Sequence, residues 1–168
     1  VQVQIAALAS ERPVTIRGTI QNIGPEAESQ IDVAVSRLPL DQTFRAAVKP
    51  GVRQTFDVLG LHGSVDIQAH MTRPAGLHKT MRTRLTARLV ESQVRYEKFP
   101  WTLTRLGGDL TAELTPTSHH WTFKDLSAQH GSSTLSASGH YSGTPGNPGQ
   151  LVLDIDAHNV MLDNQLTD

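Results

Sequence analysis

The sequence predicts a mainly β fold: a long curved antiparallel sheet, forming an open groove or half-barrel, with two short helices near 41–59. Most of the chain alternates apolar and polar residues with a period of two, as strands with one dry and one wet face do. Short turns rich in glycine and proline separate the alternating runs, which favours antiparallel pairing of neighbours. One stretch near the middle instead spaces its apolar residues as a helix does.

The alternating runs place one set of apolar side chains on a single face of the predicted sheet. We expect about nine or ten strands, because turn signals recur at short intervals. The clearest strands are 14–20, 31–35, 65–71, 81–89, 110–114 and 151–157. The side chains expected to line the concave face are Val14, Ile16, Ile31, Val33, Val65, Ile67, Leu85, Leu89, Leu110, Leu153 and Ile155.

Residues 40–60 break the period of two and predict a pair of short amphipathic helices. Asp41 is expected to cap the first helix by accepting backbone N–H bonds, and Pro50-Gly51 to separate the two. Such a pair would lie across one end of the sheet. The apolar positions are Leu40, Phe44, Ala47 and Val48 in the first helix, and Val52, Phe56 and Leu59 in the second.

The pattern of residues 31–44 recurs in residues 153–166. Each copy follows an alternating segment with a glycine in its middle, Gly18 before the first copy and Gly139 before the second. Recurrence of this kind indicates a repeat architecture. We therefore expect residues 1–168 to be one β-groove repeat of a longer protein, with the next repeat beginning at about 160–168.

The composition suits a sheet with one apolar face better than a thick core. Hydrophobic residues make up 38% of the chain, but aromatic residues only 5%. The formal net charge of −1 argues against a nucleic-acid partner, which requires a face rich in Lys and Arg. The chain has no cysteine, so disulfides and thiolate metal sites are excluded.

No group of titratable residues predicts an enzyme or a metal site. His119 and His120 are adjacent, so on a strand they face opposite sides and cannot ligate one ion together. Asp154 and Asp156 share the wet face of one strand, where carboxylates ordinarily keep a sheet soluble. We predict no catalytic residue, no cofactor and no metal.

Three arginines, Arg82, Arg84 and Arg88, follow the wet face of one strand. Cross-strand pairing with Asp66 or Asp109 is the simpler interpretation, since opposite charges are common partners across strands. Contact with an acidic surface such as a phosphate headgroup is the alternative.

The apolar face admits two interpretations. It could be the filled core of a β-sandwich in a scaffold or adhesion module of a large secreted protein. Small residues among the inward positions favour instead a sheet that curls around an apolar trough of lipid size. These small residues are Ala34, Ala69, Ala87, Ala112, Ala137 and Gly139.

The segment from Tyr96 to Tyr141 resembles the repeating unit of AsmA-like proteins. Phe99-Pro100 ends one strand of the family's pattern, and Gly108-Asp109-Leu110 lies in the next. Leu126-Ser127-Ala128-Gln129-His130-Gly131 and Gly139-His140-Tyr141 complete the pattern. The Leu38-Pro39-Leu40-Asp41 seam before a helix is similar to that family as well.

The resemblance implies membership of the repeating β-groove, bridge-like lipid-transfer superfamily. These are non-enzymatic proteins of the bacterial periplasm, anchored in the inner membrane by a segment outside this fragment. Their apolar groove is expected to conduct phospholipids between inner and outer membranes by holding the acyl chains. The expected partners are therefore phospholipid acyl chains, the inner membrane and neighbouring repeats of the same chain.

Overall fold

The computed structural model describes residues 1–48, 53, 57, 60–95, 101–147 and 149–159. Its strands form one antiparallel sheet of nine strands in which every strand pairs with its neighbours in sequence. The sheet is not closed, because β1 and β9 each have one neighbour. The elements are β1 (Gln2–Ala9), β2 (Arg12–Gln21), β3 (Glu28–Pro39), α1 (Gln42–Ala47), β4 (His62–Arg73), β5 (Arg82–Val94), β6 (Leu103–Leu114), β7 (His119–His130), β8 (Ser133–Gly143) and β9 (Gln150–His158).

The predicted strands are confirmed, and most extend beyond the runs that predicted them. For example, the run 110–114 is the end of β6, which begins at Leu103. Most strands are joined by short connections, whereas β3 and β4 are joined by a longer segment that contains α1, and the strands follow one another as a meander. The alternation fails near strand ends because the strands there depart from regular pairing.

Register shifts interrupt the ladders of β3 to β8 at the end of the sheet nearest α1. They fall, for instance, between Val35 and Leu38 in β3 and between Leu89 and Ser92 in β5. Arg37 and Glu91, inside these two shifts, have φ of 50° and 48°. The N–H of Arg37 donates to Oδ1 of Asp66 at 2.6 Å, which satisfies a donor taken out of the ladder. Bulges of this kind bend a strand and increase its twist.

One helix is described, where the sequence predicted two. Asp41 is the N-cap of α1, and its Oδ1 accepts the N–H of Phe44 at 2.8 Å, as predicted. The helix ends at Ala47, and Val48 after it is extended. The second predicted helix falls on 52–59, which lies outside the described residues except for Arg53 and Asp57. Among the described residues the prediction of two helices is therefore wrong in number. The helical spacing of apolar residues continues past Val48 in the sequence, but the extended backbone at Val48 ends the helix.

The best-buried part of the molecule lies where α1 meets the sheet. Phe44 of α1 packs against a cluster of buried side chains from β3, β4, β5 and the flanking loops. Arg45 anchors the helix, because its guanidinium donates to Asp57 at 2.5 Å and to the carbonyl oxygen of Leu61 at 2.6 Å. The prediction that a helix lies across one end of the sheet is thus confirmed for α1. The buried cluster consists of Val35, Leu38, Leu40, Leu61, Val65 and Ala87.

The two mid-strand glycines occupy matching positions in the sheet. Gly18 in β2 lies opposite Ile31 of β3, and Gly139 in β8 lies opposite Leu153 of β9. A Cβ atom at Gly18 would overlap the carbonyl oxygen of Gln30, and one at Gly139 would overlap that of Val152. Glycine is required at both positions because the neighbouring backbone approaches closely.

We expect Gly139→Ala to lower the free energy of unfolding by about 1–3 kcal/mol, because the added methyl group overlaps the backbone of β9. Gly107→Ala is the matched control, since a Cβ there meets its nearest atom at 3.8 Å. Urea unfolding of both variants measures the difference. Equal stability of the two variants would show that the β8–β9 approach does not constrain the sheet.

Replacing Asp41 with Ala should cost about 1 kcal/mol, because the N–H of Phe44 loses its acceptor. Asp41→Asn, which retains a cap oxygen, should recover most of the loss. Thermal unfolding followed by circular dichroism tests both. A similar loss in the two variants would mean that charge, not capping, is what Asp41 contributes.

Candidate functional site

The feature best suited to a function is one apolar face that crosses all nine strands. Residues directly opposite each other in an antiparallel pair share a face, so the register defines rows of side chains across the sheet. Two such rows are apolar along almost their whole length. The first row contains Ala7, Val14, Val35, Ile67, Ala87, Leu110, Phe123, Gly139 and Leu153. The second row contains Ile5, Ile16, Val33, Ala69, Leu85, Ala112, Trp121, Tyr141 and Leu151.

All eleven sequence-predicted residues lie on this apolar face. Val14, Ile67, Leu110 and Leu153 are in the first row, and Ile16, Val33 and Leu85 in the second. Ile31 stands opposite Gly18 and Met71, and Val65 stands opposite Leu38 and Leu89. Ile155 stands opposite Ala137. The register therefore brings together residues that are far apart in sequence.

The apolar face is buried or half-buried from β2 to β8 and largely exposed on the two edge strands, β1 and β9. Side chains near α1 are buried, whereas those of β9 are not: Leu151, Leu153 and Ile155 are 56%, 39% and 61% exposed. All substantial contacts between described elements join sequential strands, so no second described layer lies on this face. Exposed apolar side chains that are contiguous on one surface are a common mark of a binding surface.

Three aromatic side chains on the face were absent from the predicted set. Trp121 and Phe123 of β7 and Tyr141 of β8 lie in the two rows and are partly buried. In the sequence, Trp121 and Phe123 lie on either side of Thr122, and this alternation indicates that the two aromatic side chains share a face. Conversely, Ala34 was expected to face inward, but it lies opposite Thr15 and Gln68 on the other face.

The opposite face, which we call the polar face, carries cross-strand ion pairs. Arg88 binds Asp109 with two hydrogen bonds, of 2.7 and 3.1 Å, and Arg84 binds Glu113 at 3.0 Å. The predicted cross-strand pairing is confirmed for Arg88, whose partner is Asp109, whereas Arg84 pairs across strands with Glu113, which was not a predicted partner. Among the described residues Arg82 has no carboxylate partner.

Several of the described histidines have hydrogen-bond or stacking partners within the sheet. His119 and His120 face opposite sides, as predicted, because His119 pairs with Leu114 and His120 with Glu113. His70 Nδ1 lies 2.6 Å from Oδ1 of Asp32 on the polar face. The ring of His130 stacks on Trp101, with centroids 4.8 Å apart.

Neither a metal centre nor a membrane-spanning helix is found in the part of the chain that the structure describes. No group of three or more His, Cys, Asp or Glu side chains there has the geometry of a metal site. No helix there has the length and apolar character needed to cross a membrane. Comparison of the chain with protein families, curated proteins and solved structures finds no significant match.

The Arg88–Asp109 pair predicts a small dependence of stability on pH. The hydrogen bond from Arg88 lowers the pKa of Asp109 below its ordinary value. A carboxyl group whose pKa is lowered by folding stabilises the fold above its unfolded-state pKa, about 3.9, and loses that contribution as the pH falls through the folded-state pKa. Asp109→Asn should therefore lower the Tm slightly at pH 7, and the difference from the parent should narrow below about pH 4. Melting curves at both pH values test this; an unchanged difference would contradict it.

Proposed function

We propose that this chain is a non-enzymatic segment of an AsmA-like envelope protein, whose apolar face holds phospholipid acyl chains. Full-length proteins of this kind would conduct phospholipids between the inner and outer membranes. The observation that carries the proposal is the apolar face itself: two rows of apolar side chains cross nine strands and remain uncovered over β9. Each acyl CH₂ removed from water contributes about 0.8 kcal/mol, so such a face can hold lipid tails without specific contacts.

The bulges near α1 support a curved sheet that acts as a groove. The extra residues fall in β3, β5, β6 and β7, and each bends its strand. Small side chains in the rows, such as Ala87 and Ala112, leave room for a sheet to curl. The buried cluster beneath α1 would close one flank of the groove, and lipid tails would run across the strands along the two rows.

The matching close approaches at Gly18 and Gly139 support the repeat hypothesis. The β2–β3 and β8–β9 pairs place a glycine opposite a branched aliphatic residue, followed by Asp32 in β3 and Asp154 in β9. In this proposal β9 begins the same sequence of elements that β3 begins. The predicted start of the next repeat at about 160–168, including the predicted helix entry at Asp163, lies outside the described residues.

The location and partners follow from the proposed family. The full-length protein would lie in the periplasm, with an inner-membrane anchor outside this fragment and neighbouring repeats extending the sheet. The polar face, with its charged pairs, would remain in water together with the lipid headgroups. Movement along the groove would be diffusive and would require no reaction centre. The alternative, a β-sandwich scaffold, needs a second sheet over the apolar face, and the described strands all belong to one sheet.

A charge on the apolar face should abolish lipid binding while the same charge on the polar face should not. Leu153 and Val152 are neighbours in β9, are 39% and 38% exposed, and face opposite sides. Leu153→Asp places a carboxylate where acyl chains are proposed to lie, and it must keep its water there. We expect crosslinking to a phosphatidylethanolamine with a diazirine on one acyl chain to fall at least about tenfold, whereas Val152→Asp should keep it.

The melting temperature of both variants provides the control for folding. Because both residues are equally exposed on an edge strand, both variants should unfold close to the parent. A folded Leu153→Asp protein that still crosslinks the lipid would refute the proposal, as would a parent protein that does not crosslink at all. If Leu153→Asp alone unfolds, the face is a filled core in solution, and the sandwich interpretation replaces the groove.

A further inference from the structure

Burial along the apolar face decreases from α1 toward the opposite rim of the sheet. On β3, Leu38 and Val35 near α1 are 6% and 8% exposed, whereas Val33 and Ile31 beyond them are half-buried. The cluster beneath α1 occupies the near end of the face over β3, β4 and β5. A lipid on this part of the face would therefore have its headgroup at the opposite rim.

Basic side chains at the rim opposite α1 are confined to one connection between strands. The four connections at this rim are residues 22–27, 74–81, 115–118 and 144–149. Only the second of them, between β4 and β5, contains a lysine or an arginine, Lys79, and Arg82 follows it as the first residue of β5. We call Lys79 and Arg82 the basic rim pair. Residues 74–82 contain no Asp or Glu, so the local charge favours an anion.

Both members of the basic rim pair are exposed, and neither takes part in an ion pair among the described residues. The carboxylates of the adjacent strand pair belong to Glu26 and Glu28, and no described ion pair joins them to Lys79 or Arg82. The other two arginines on the same face of β5 are held by carboxylates of β6. Arg82 is therefore the arginine of this stripe that can bind an external anion.

The guanidinium of Arg73, the last residue of β4, holds the β4–β5 connection in place. Within the connection it donates to the carbonyl oxygens of Lys79 at 3.0 Å and Gly76 at 3.4 Å. It also donates to the carbonyl oxygens of Pro25, at 2.6 Å, and Ala27 in the neighbouring β2–β3 connection. A segment that is ordered before binding loses less conformational entropy when it binds a ligand. The backbone that carries the basic rim pair is preorganised in this way.

Exposed aliphatic side chains accompany the basic rim pair. Leu77 in the same connection is 57% exposed, and Ile23 in the β2–β3 connection is 78% exposed. Aliphatic groups beside cations suit the boundary between the acyl chains and the phosphate of a lipid, where an apolar part and an anionic part meet.

We propose that phospholipids lie on the apolar face with their acyl chains directed toward α1 and their phosphate at the opposite rim, bound by Lys79 and Arg82. The phosphate oxygens accept charge-assisted hydrogen bonds from the ammonium and the guanidinium. This proposal rests on the proposed lipid function, and it adds the orientation of the lipid and the side chains that hold its headgroup.

Photocrosslinking to two lipids that differ only in the phosphate tests the proposal. Phosphatidic acid and diacylglycerol each carry a diazirine at the end of one acyl chain. The parent chain should crosslink phosphatidic acid at least about fivefold more than diacylglycerol, because only the former offers an anion to the basic rim pair. Lys79→Gln combined with Arg82→Gln should abolish this preference. Arg17→Gln combined with Lys124→Gln is the matched control: it removes two exposed charges of the polar face that form no described ion pair, and it should keep the preference.

A phospholipid with its photoreactive group on the headgroup locates the phosphate directly. Mass spectrometry of the crosslinked parent chain should place this label in residues 74–82, and the label from the acyl-chain end on β3, β4 or β5 near α1. The Tm of both double variants should match that of the parent. If the variant of the basic rim pair unfolds, the position of the headgroup label decides.

The outcomes separate this proposal from the proposed function. If the parent crosslinks neither lipid, the lipid function fails and the orientation with it. Acyl-chain binding stands but the orientation is wrong if the parent crosslinks both lipids equally, if the basic rim variant keeps the preference, if the control loses it, or if the headgroup label falls near α1. If the basic rim variant crosslinks dispersed phosphatidic acid as the parent does but no longer sediments with phosphatidylglycerol vesicles, the rim binds a bilayer surface instead, which also overturns the proposal.

Discussion

Cross-strand register is the constraint on which the rest of this structure depends. In a sheet, a slip of one residue moves every side chain of a strand to the other face. Here the eight ladders align two apolar rows over nine strands, so one slip would break both rows. Several specific contacts hold the register: the close backbone approaches at Gly18 and Gly139, and the ion pairs of Arg84 and Arg88.

Stability is distributed unevenly over the sheet. The buried cluster under α1 contains side chains from β3, β4, β5 and the loops around them, and Phe44 packs against it. At the other side, every residue of β9 is exposed. Few buried contacts and exposed backbone bonds make a segment open more readily than the rest of a fold. The sheet is therefore most stable around the buried cluster, whereas β9 at its edge pairs with β8 alone.

The two faces of the sheet differ in the kind of contact that they offer. The apolar face offers area without directed hydrogen bonds, which suits the flexible acyl chains of the proposed function. The polar face carries the ion pairs of Arg84 and Arg88.

The sequence by itself determined the six strands that it marked as alternating runs, the shared face of the eleven predicted apolar residues, and the cap at Asp41. These depend on local properties: the period of two, turn residues and the reach of a short side chain to a backbone N–H. Only the tertiary structure decided the bulges near α1, the inclusion of Gln2–Ala9 as a strand, the position of Ala34, and the choice of Asp109 over Asp66 for Arg88. The tertiary structure also decided that the apolar face belongs to a single sheet, with no second sheet among the described residues. Alternation reports which side a residue faces, but what lies opposite depends on contacts between residues far apart in the chain.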